Sequence, residues 1–145
     1  ALASMTRLND DAARIAVAAG VRGATDVTGF GLLGHLGRAA IESGVDVAIE
    51  VASVPLLSGT RELAEAGSMP GGSRRNLEWA DERLDRGGFN ELDVLLLADA
   101  QTSGGLVFGV DPTEVDGVLA ELDSTGHVAA VIGTATAGSG QITLT

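Results

Sequence analysis

A chain of 145 residues, 45% apolar and 20% charged, has the size and balance of a single globular domain over 1–145, and no apolar run approaches the ~20 residues of a membrane span. Its net charge of −11 argues against nucleic acid and anionic membrane surfaces as partners, because neutralising phosphates takes clustered basic side chains. The absence of Cys and Lys, and the 92 positions between His35 and His127, exclude disulfides, thiolate metal sites, a Walker loop, a Schiff-base lysine and an HExxH metal pair.

The start carries no secretory pattern, and beginning at Ala1 rather than Met suggests a fragment or a processed piece. The spacing predicts a first helix over 4–19: Leu8, Ala12, Ile15 and Ala19 share a face, Asn9, Asp10 and Asp11 place acceptors near its start, and Gly20 suits its end. A short strand is expected over 24–28. Phe30, Leu33, Leu36, Gly37, Ala40 and Ile41 then recur at helical spacing until Gly44. Alternation at Val47, Ile49 and Val51 predicts a strand over 46–51. A turn at Pro55 leads to a short helix over 58–66, closed by Gly67. The stretch MPGGSRRN, 69–76, reads as an ordered loop, 90–98 as a helix and 106–110 as a strand. Asp111 as N-cap, Pro112 at N1, Glu114 at N3 and Gly126 past the end predict a helix with Val115, Val118, Leu119 and Leu122 on its apolar stripe. Strands over 128–135 and 141–144, joined by AGSG, are expected to form an antiparallel hairpin. This order predicts an α/β domain of α+β type, with helices covering a mixed, largely antiparallel sheet.

The chemistry concentrates in TDVTGFGLLGHL, 25–36. Gly29-x-Gly31-x-x-Gly34 spells a dinucleotide-binding turn, with a strand before it, a helix after it and Glu50 about 20 residues on. The lead-in Arg22-Gly23-Ala24-Thr25-Asp26-Val27-Thr28 is too polar for the central buried strand of a doubly wound sheet. Asp26 would also repel a pyrophosphate unless a cation lay between them. The same residues suit a metal-bridged phosphate site: Asp26 offers a hard oxygen for Mg²⁺, Thr25 and Thr28 offer hydroxyls, and Gly29 and Gly31 let backbone approach phosphate at a helix N-terminus. A tight turn with no ligand fits the pattern as well. Gly31, Gly34 and Gly37 each cost a helix about 1 kcal/mol relative to Ala, so close approach of a backbone or ligand, or tight helix–sheet packing, is expected there.

TDVTGFGLLGH at 25–35, VPLLSGTRELAEAG at 54–67, PGGSRRN at 70–76 and LLLADAQTSGGL at 95–106 occur in the order found in the C-terminal domain of selenophosphate synthetase (selenide, water dikinase). The chain resembles that family over about 1–135, within a superfamily that includes aminoimidazole ribonucleotide synthetase, thiamine-monophosphate kinase and a hydrogenase-maturation enzyme. The resemblance implies the C-terminal fold of that superfamily. It also implies a reaction converting ATP, selenide and water into selenophosphate, orthophosphate and AMP, with Mg²⁺ and a monovalent cation such as K⁺. It places Asp26 against Mg²⁺, with Thr25, Thr28, Gly29 and Gly31 as the adjacent turn. Asn76, Ser103, Gly104 and Gly105 would lie near the nucleotide at a domain junction. It further implies an N-terminal ATP-binding domain as partner, a cytoplasmic homodimer at full length, and an isolated chain without activity, because the family's nucleophilic Cys or selenocysteine and catalytic Lys belong to the N-terminal segment. The chain departs from the family at 99–105, reading DAQTSGG where Pro usually follows Asp, which removes a fixed φ.

Other residues have plain readings beside functional ones. Arg74 and Arg75 suit phosphate but also a solvated loop. His35 suits packing more than general-base work. Trp79 suits anchoring the segment after Asn76 or facing a partner domain. Asp99 suits an N-cap or turn acceptor more than a carboxylate supporting a metal site from behind, and Asp81, Glu82 and Asp85 suit an exposed acidic face. Three alternatives remain at this level: a dinucleotide-binding oxidoreductase module, another ATP-dependent member of the superfamily that the chain resembles (aminoimidazole ribonucleotide synthetase or thiamine-monophosphate kinase), and a packing or dimerisation domain with no ligand of its own.

Overall fold

The computed structural model describes residues 2–145. Seven helices and six strands are present among them. The strands form a four-stranded sheet and a two-stranded ribbon.

Helix α1 spans Leu2–Met5 and α2 spans Asp10–Ala18. The single helix expected over 4–19 is thus two. Asn9 starts the second, its carbonyl accepting the Ala13 N–H at 2.8 Å, and Asp10 and Asp11 favour a helix start electrostatically. Leu8, expected on the apolar face, is exposed. Strand β1 (Ala24–Asp26) leads into α3 (Gly31–Ser43), which Gly44 ends in the left-handed conformation, and then into β2 (Val45–Ile49). A 3₁₀ turn and α4 (Thr60–Glu65) follow.

The segment read as a loop over 69–76 begins α5, Gly71–Ala80. Gly71 and Gly72 occupy its first turn, where N–H groups lack intrahelical acceptors in any helix. Ser73, Leu77 and Ala80 recur at helical spacing and are buried. Strand β3 (Leu84–Asp85), unforeseen, follows. Helix α6 (Glu91–Leu97) has Asn90 as a true N-cap, its side chain accepting the Asp93 N–H at 3.0 Å. After β4 (Leu106–Phe108), α7 runs Val115–Ser124. Asp111 does not cap that helix. Its carboxylate accepts the Thr113 N–H at 2.9 Å and hydroxyl at 2.7 Å, closing a turn one step earlier. Strands β5 (Gly133–Ala137) and β6 (Ile142–Leu144) close the chain.

The sheet order is β3-β6-β2-β5. Strands β5 and β6 are not a hairpin, because β2 lies between them, antiparallel to β5 and parallel to β6. Strand β3 is parallel to β6, and β1 pairs antiparallel with β4. The sheet is mixed and covered by helices.

Two cores result. The larger joins α3, α5 and α6 to the sheet through Leu33, Leu77, Val94, Ile49, Ile142 and Leu144. The smaller packs α2 and α7 through Ala12, Ile15, Val118 and Leu122, with Leu106 and Phe108 of the ribbon against them. The loops after β1 and after α6 start at Val27 and Ala98, both buried in the larger core. No helix among the described residues is long and apolar enough to cross a membrane.

Candidate functional site

Strand β1 ends at Asp26 and the chain turns through 27–30 into α3. Opposite runs the loop from α6 to β4, residues 98–105. Four backbone hydrogen bonds organise the pair. Val27 N–H donates to Gly105 O (2.9 Å), Gly104 N–H to Val27 O (3.0 Å), Gln101 N–H to Thr28 O (2.9 Å) and Gly31 N–H to Thr28 O (3.0 Å). Side chains lock the loops from two further elements. Asn76 of α5 donates to Gly29 O at 2.9 Å and Ala98 O at 3.0 Å. Asn9, at the start of α2, donates to Gly104 O at 3.0 Å.

Gly31 is required here. Its φ is +67°, and a Cβ on it would lie 2.5 Å from Ala98 C and 2.6 Å from Ala98 O. The neighbouring loop fills the space beside the Gly31 Cα, and the Gly31 N–H donates to Thr28 O at 3.0 Å. Gly34 is required for another reason, since a Cβ there would come within 2.7 Å of the Phe30 Cβ. At Gly37 an added Cβ would meet only ordinary contacts, from Ile142 and Trp79.

Open groups remain at the rim. Among the described residues the N–H groups of Thr28, Gly29 and Phe30 meet no protein acceptor. Asp26 is exposed, and its carboxylate has no hydrogen-bond or ion-pair partner among the described residues. Thr25 turns its hydroxyl to Asp26 O at 3.1 Å. The Thr28 hydroxyl lies 2.9 Å from His35 Nε2. Ser103, at φ +57°, is exposed at the tip of the second loop. Beneath that loop, buried Ser73 donates to Asp99 Oδ1 at 2.6 Å. Ala100 uses the N–H that a proline would lack, 3.4 Å from Ser73 Oγ. Asp99 thus accepts from a residue 26 positions away on α5, and not as the local turn acceptor expected.

All nine expected residues, Thr25, Asp26, Thr28, Gly29, Gly31, Asn76, Ser103, Gly104 and Gly105, meet in this one junction. Their jobs divide. Gly31, Asn76 and Gly104 hold the loops together, whereas Asp26, Thr28, Gly29 and Ser103 face the rim. Sequence reading missed Asn9, since only a fold can set it against a carbonyl 95 positions away. It also missed Gln101 as a backbone donor, although the SGG-containing motif included it. Arg74 pairs with Glu91 at 3.2 Å in an exposed bridge, on helix α5 and not in the loop expected. Trp79 lies on α5, 53% exposed, beside Leu33, Gly37 and Ile41.

A dinucleotide turn does not fit this geometry. Strand β1 has three residues and pairs only with antiparallel β4, so it is not the central strand of a parallel sheet. Nor does the chain enclose a metal alone: no three His, Cys, Asp or Glu cluster among the described residues. One open carboxylate does fit Mg²⁺, which binds through one or two carboxylates together with substrate phosphates.

Residues 2–144 match the family described as AIR synthase related protein, C-terminal domain. The selenide, water dikinase of Carboxydothermus hydrogenoformans is 40% identical over 139 residues, spanning 95% of this chain and 40% of that protein. That of Porphyromonas gingivalis is 43% identical over 138 residues, spanning 94% and 39%. The crystal structure of Hydrogenase Maturation Protein HypE is similar in fold, with a TM-score of 0.58 at 19% identity over 94% of this chain and 38% of that one. The chain spans about two fifths of the length of the curated relatives it matches.

Proposed function

From a chain that belongs to the AIR synthase related C-terminal domain family, we infer the C-terminal part of an ATP-dependent enzyme that makes selenophosphate from selenide, ATP and water, releasing AMP and phosphate. The observation that carries this reading is the open carboxylate of Asp26 on the same turn as three N–H groups that meet no protein acceptor among the described residues, at a junction whose two loops are bonded to each other. A chain of net charge −11 repels a triphosphate. Backbone N–H groups at the start of a helix, and a cation shared with a carboxylate, are the two means by which such a chain receives one.

In this reading Thr28 and Gly29 border the phosphates, with Thr25 beside them. Gly31, Asn76, Gly104 and Gly105 keep the two loops at fixed separation, and Ser103 approaches the nucleotide from the second loop. Asp26 holds Mg²⁺, which supplies charge neutralisation at the phosphate oxygens. Rigid placement matters because donors set in advance need no reorganisation as charge develops. The nucleophile and most of the nucleotide site come from an N-terminal domain, since this chain has no Cys and no Lys. A monovalent cation such as K⁺, a homodimer at full length and a cytoplasmic setting complete the reading.

The test is Asp26→Asn in the full-length protein. Turnover to AMP is expected to fall by at least roughly 100-fold at limiting Mg²⁺, with the melting temperature unchanged. Turnover near that of the wild type at limiting Mg²⁺ would remove Asp26 from the site.

A further inference from the structure

The Thr28 main chain is fixed twice, its carbonyl accepting from Gly31 N–H and Gln101 N–H at 3.0 and 2.9 Å. Its hydroxyl would still rotate, because a threonine Oγ–H turns to whatever partner is near. His35 removes that freedom. It sits one turn into α3, half-buried, with Nε2 at 2.9 Å from Thr28 Oγ1. The imidazole is itself held from the other side. The Phe30 ring lies against it, centroids 5.7 Å apart and planes tilted by 54°. Phe30 can fold back over α3 because position 34 has no side chain, as the 2.7 Å approach to its Cβ shows. Phe30 nevertheless remains 67% exposed. Turn, ring and hydroxyl therefore form one braced unit at the rim, two residues beyond Asp26.

We propose that His35 is a positioning residue that aims the Thr28 hydroxyl at a phosphate oxygen of bound nucleotide. The proposal rests on the reading of this turn as the phosphate site. A hydroxyl has one proton and two lone pairs. With Nε2–H donating to one lone pair, the hydroxyl proton is left free and points in a set direction before the ligand arrives. That is the condition under which a polar group contributes most to binding an anion.

The test is a double-mutant cycle in the full-length protein: His35→Ala, Thr28→Val, both together, and His35→Gln as the conservative replacement. Each is read in the dissociation constant for Mg·ATP, in kcat and KM for ATP from selenide-dependent AMP formation, and in the melting temperature. His35→Ala and Thr28→Val are each expected to lower kcat/KM for ATP roughly 10-fold, the loss of one hydrogen bond to a charged group. The double variant is expected to be no worse than Thr28→Val, and His35→Gln to recover most of the loss. Effects that multiply in the double variant would overturn the proposal. So would His35→Ala lowering the melting temperature with kinetics and affinity unchanged. A wild type that binds Mg·ATP but forms no selenide-dependent AMP sinks only the assigned reaction, and the cycle is then decided by the dissociation constants. A wild type that does not bind Mg·ATP sinks both.

Discussion

Asn76 joins two carbonyls from different loops, Gly29 O and Ala98 O, with the two protons of one amide nitrogen. Its neighbours on α5, Arg75 and Leu77, face elsewhere, one exposed and one buried in the larger core. The side chain therefore works as a clamp from outside both loops. Asn76→Ala removes two hydrogen bonds worth about 0.5–1.5 kcal/mol each. A loss of about 1–3 kcal/mol in urea unfolding of the chain is expected. An unchanged midpoint would show that the loops keep their spacing without the clamp. Asp26 differs in kind: it holds nothing together among the described residues, so its replacement is expected to be silent in the same measurement.

Asp46 governs how the last two strands meet the sheet. The segment after β5 crosses the start of β2, and the Asp46 carboxylate accepts three successive N–H groups, Ser139 at 2.8 Å, Gly140 at 3.0 Å and Gln141 at 2.8 Å. Those bonds hold a loop that passes around β2 instead of turning back tightly. Hydrogen bonds from Gln141 and then Ser139 pull the Asp46 carboxyl below its ordinary value of 3.8, against a smaller opposing effect of desolvation. A lowered folded value means stability that is present above pH 3.8 and lost as pH falls through the folded value. Asp46→Asn is therefore expected to melt below the wild type at pH 7, with the gap closing as pH falls below about 3.8. An equal gap at pH 7 and pH 3 would mean that the ionised carboxylate does not hold the loop. The Thr113 hydroxyl, then its N–H, lower Asp111 in the same direction, so the wild type loses stability at low pH at this turn as well.

Twenty acidic residues face nine arginines across the molecule. Only five ion pairs form among the described residues, most of them between exposed groups. Exposed pairs contribute little, whereas an excess charge of −11 repels itself over the whole surface. Screening should then stabilise the fold, and the melting temperature is expected to rise between low salt and about 0.5 M NaCl. A fall over that range would give the ion pairs more weight than the excess charge. The two cores add a second property of the whole. The junction lies where they meet, tied to the smaller by Asn9 and to the larger by Asn76.

Much of this protein was legible as text because its signals are local. The left-handed end of α3 at Gly44, the helix over 90–98, and the run from Thr25 to His35 each depend on neighbours a few positions apart. The glycines of PGGSRRN misled for the same reason: a glycine reads as punctuation until a helix places it in a first turn, with Ser73, Leu77 and Ala80 to bury behind it. What stayed hidden involves partners distant in the chain. That β2 separates β5 from β6, that Asn76 serves two carbonyls 47 and 22 positions away, and that the backbone of Ala98 lies against Gly31 leave no periodic trace. Hydrophobic period reports which face of an element is buried. It does not report what lies against that face, because that depends on how the elements close upon each other.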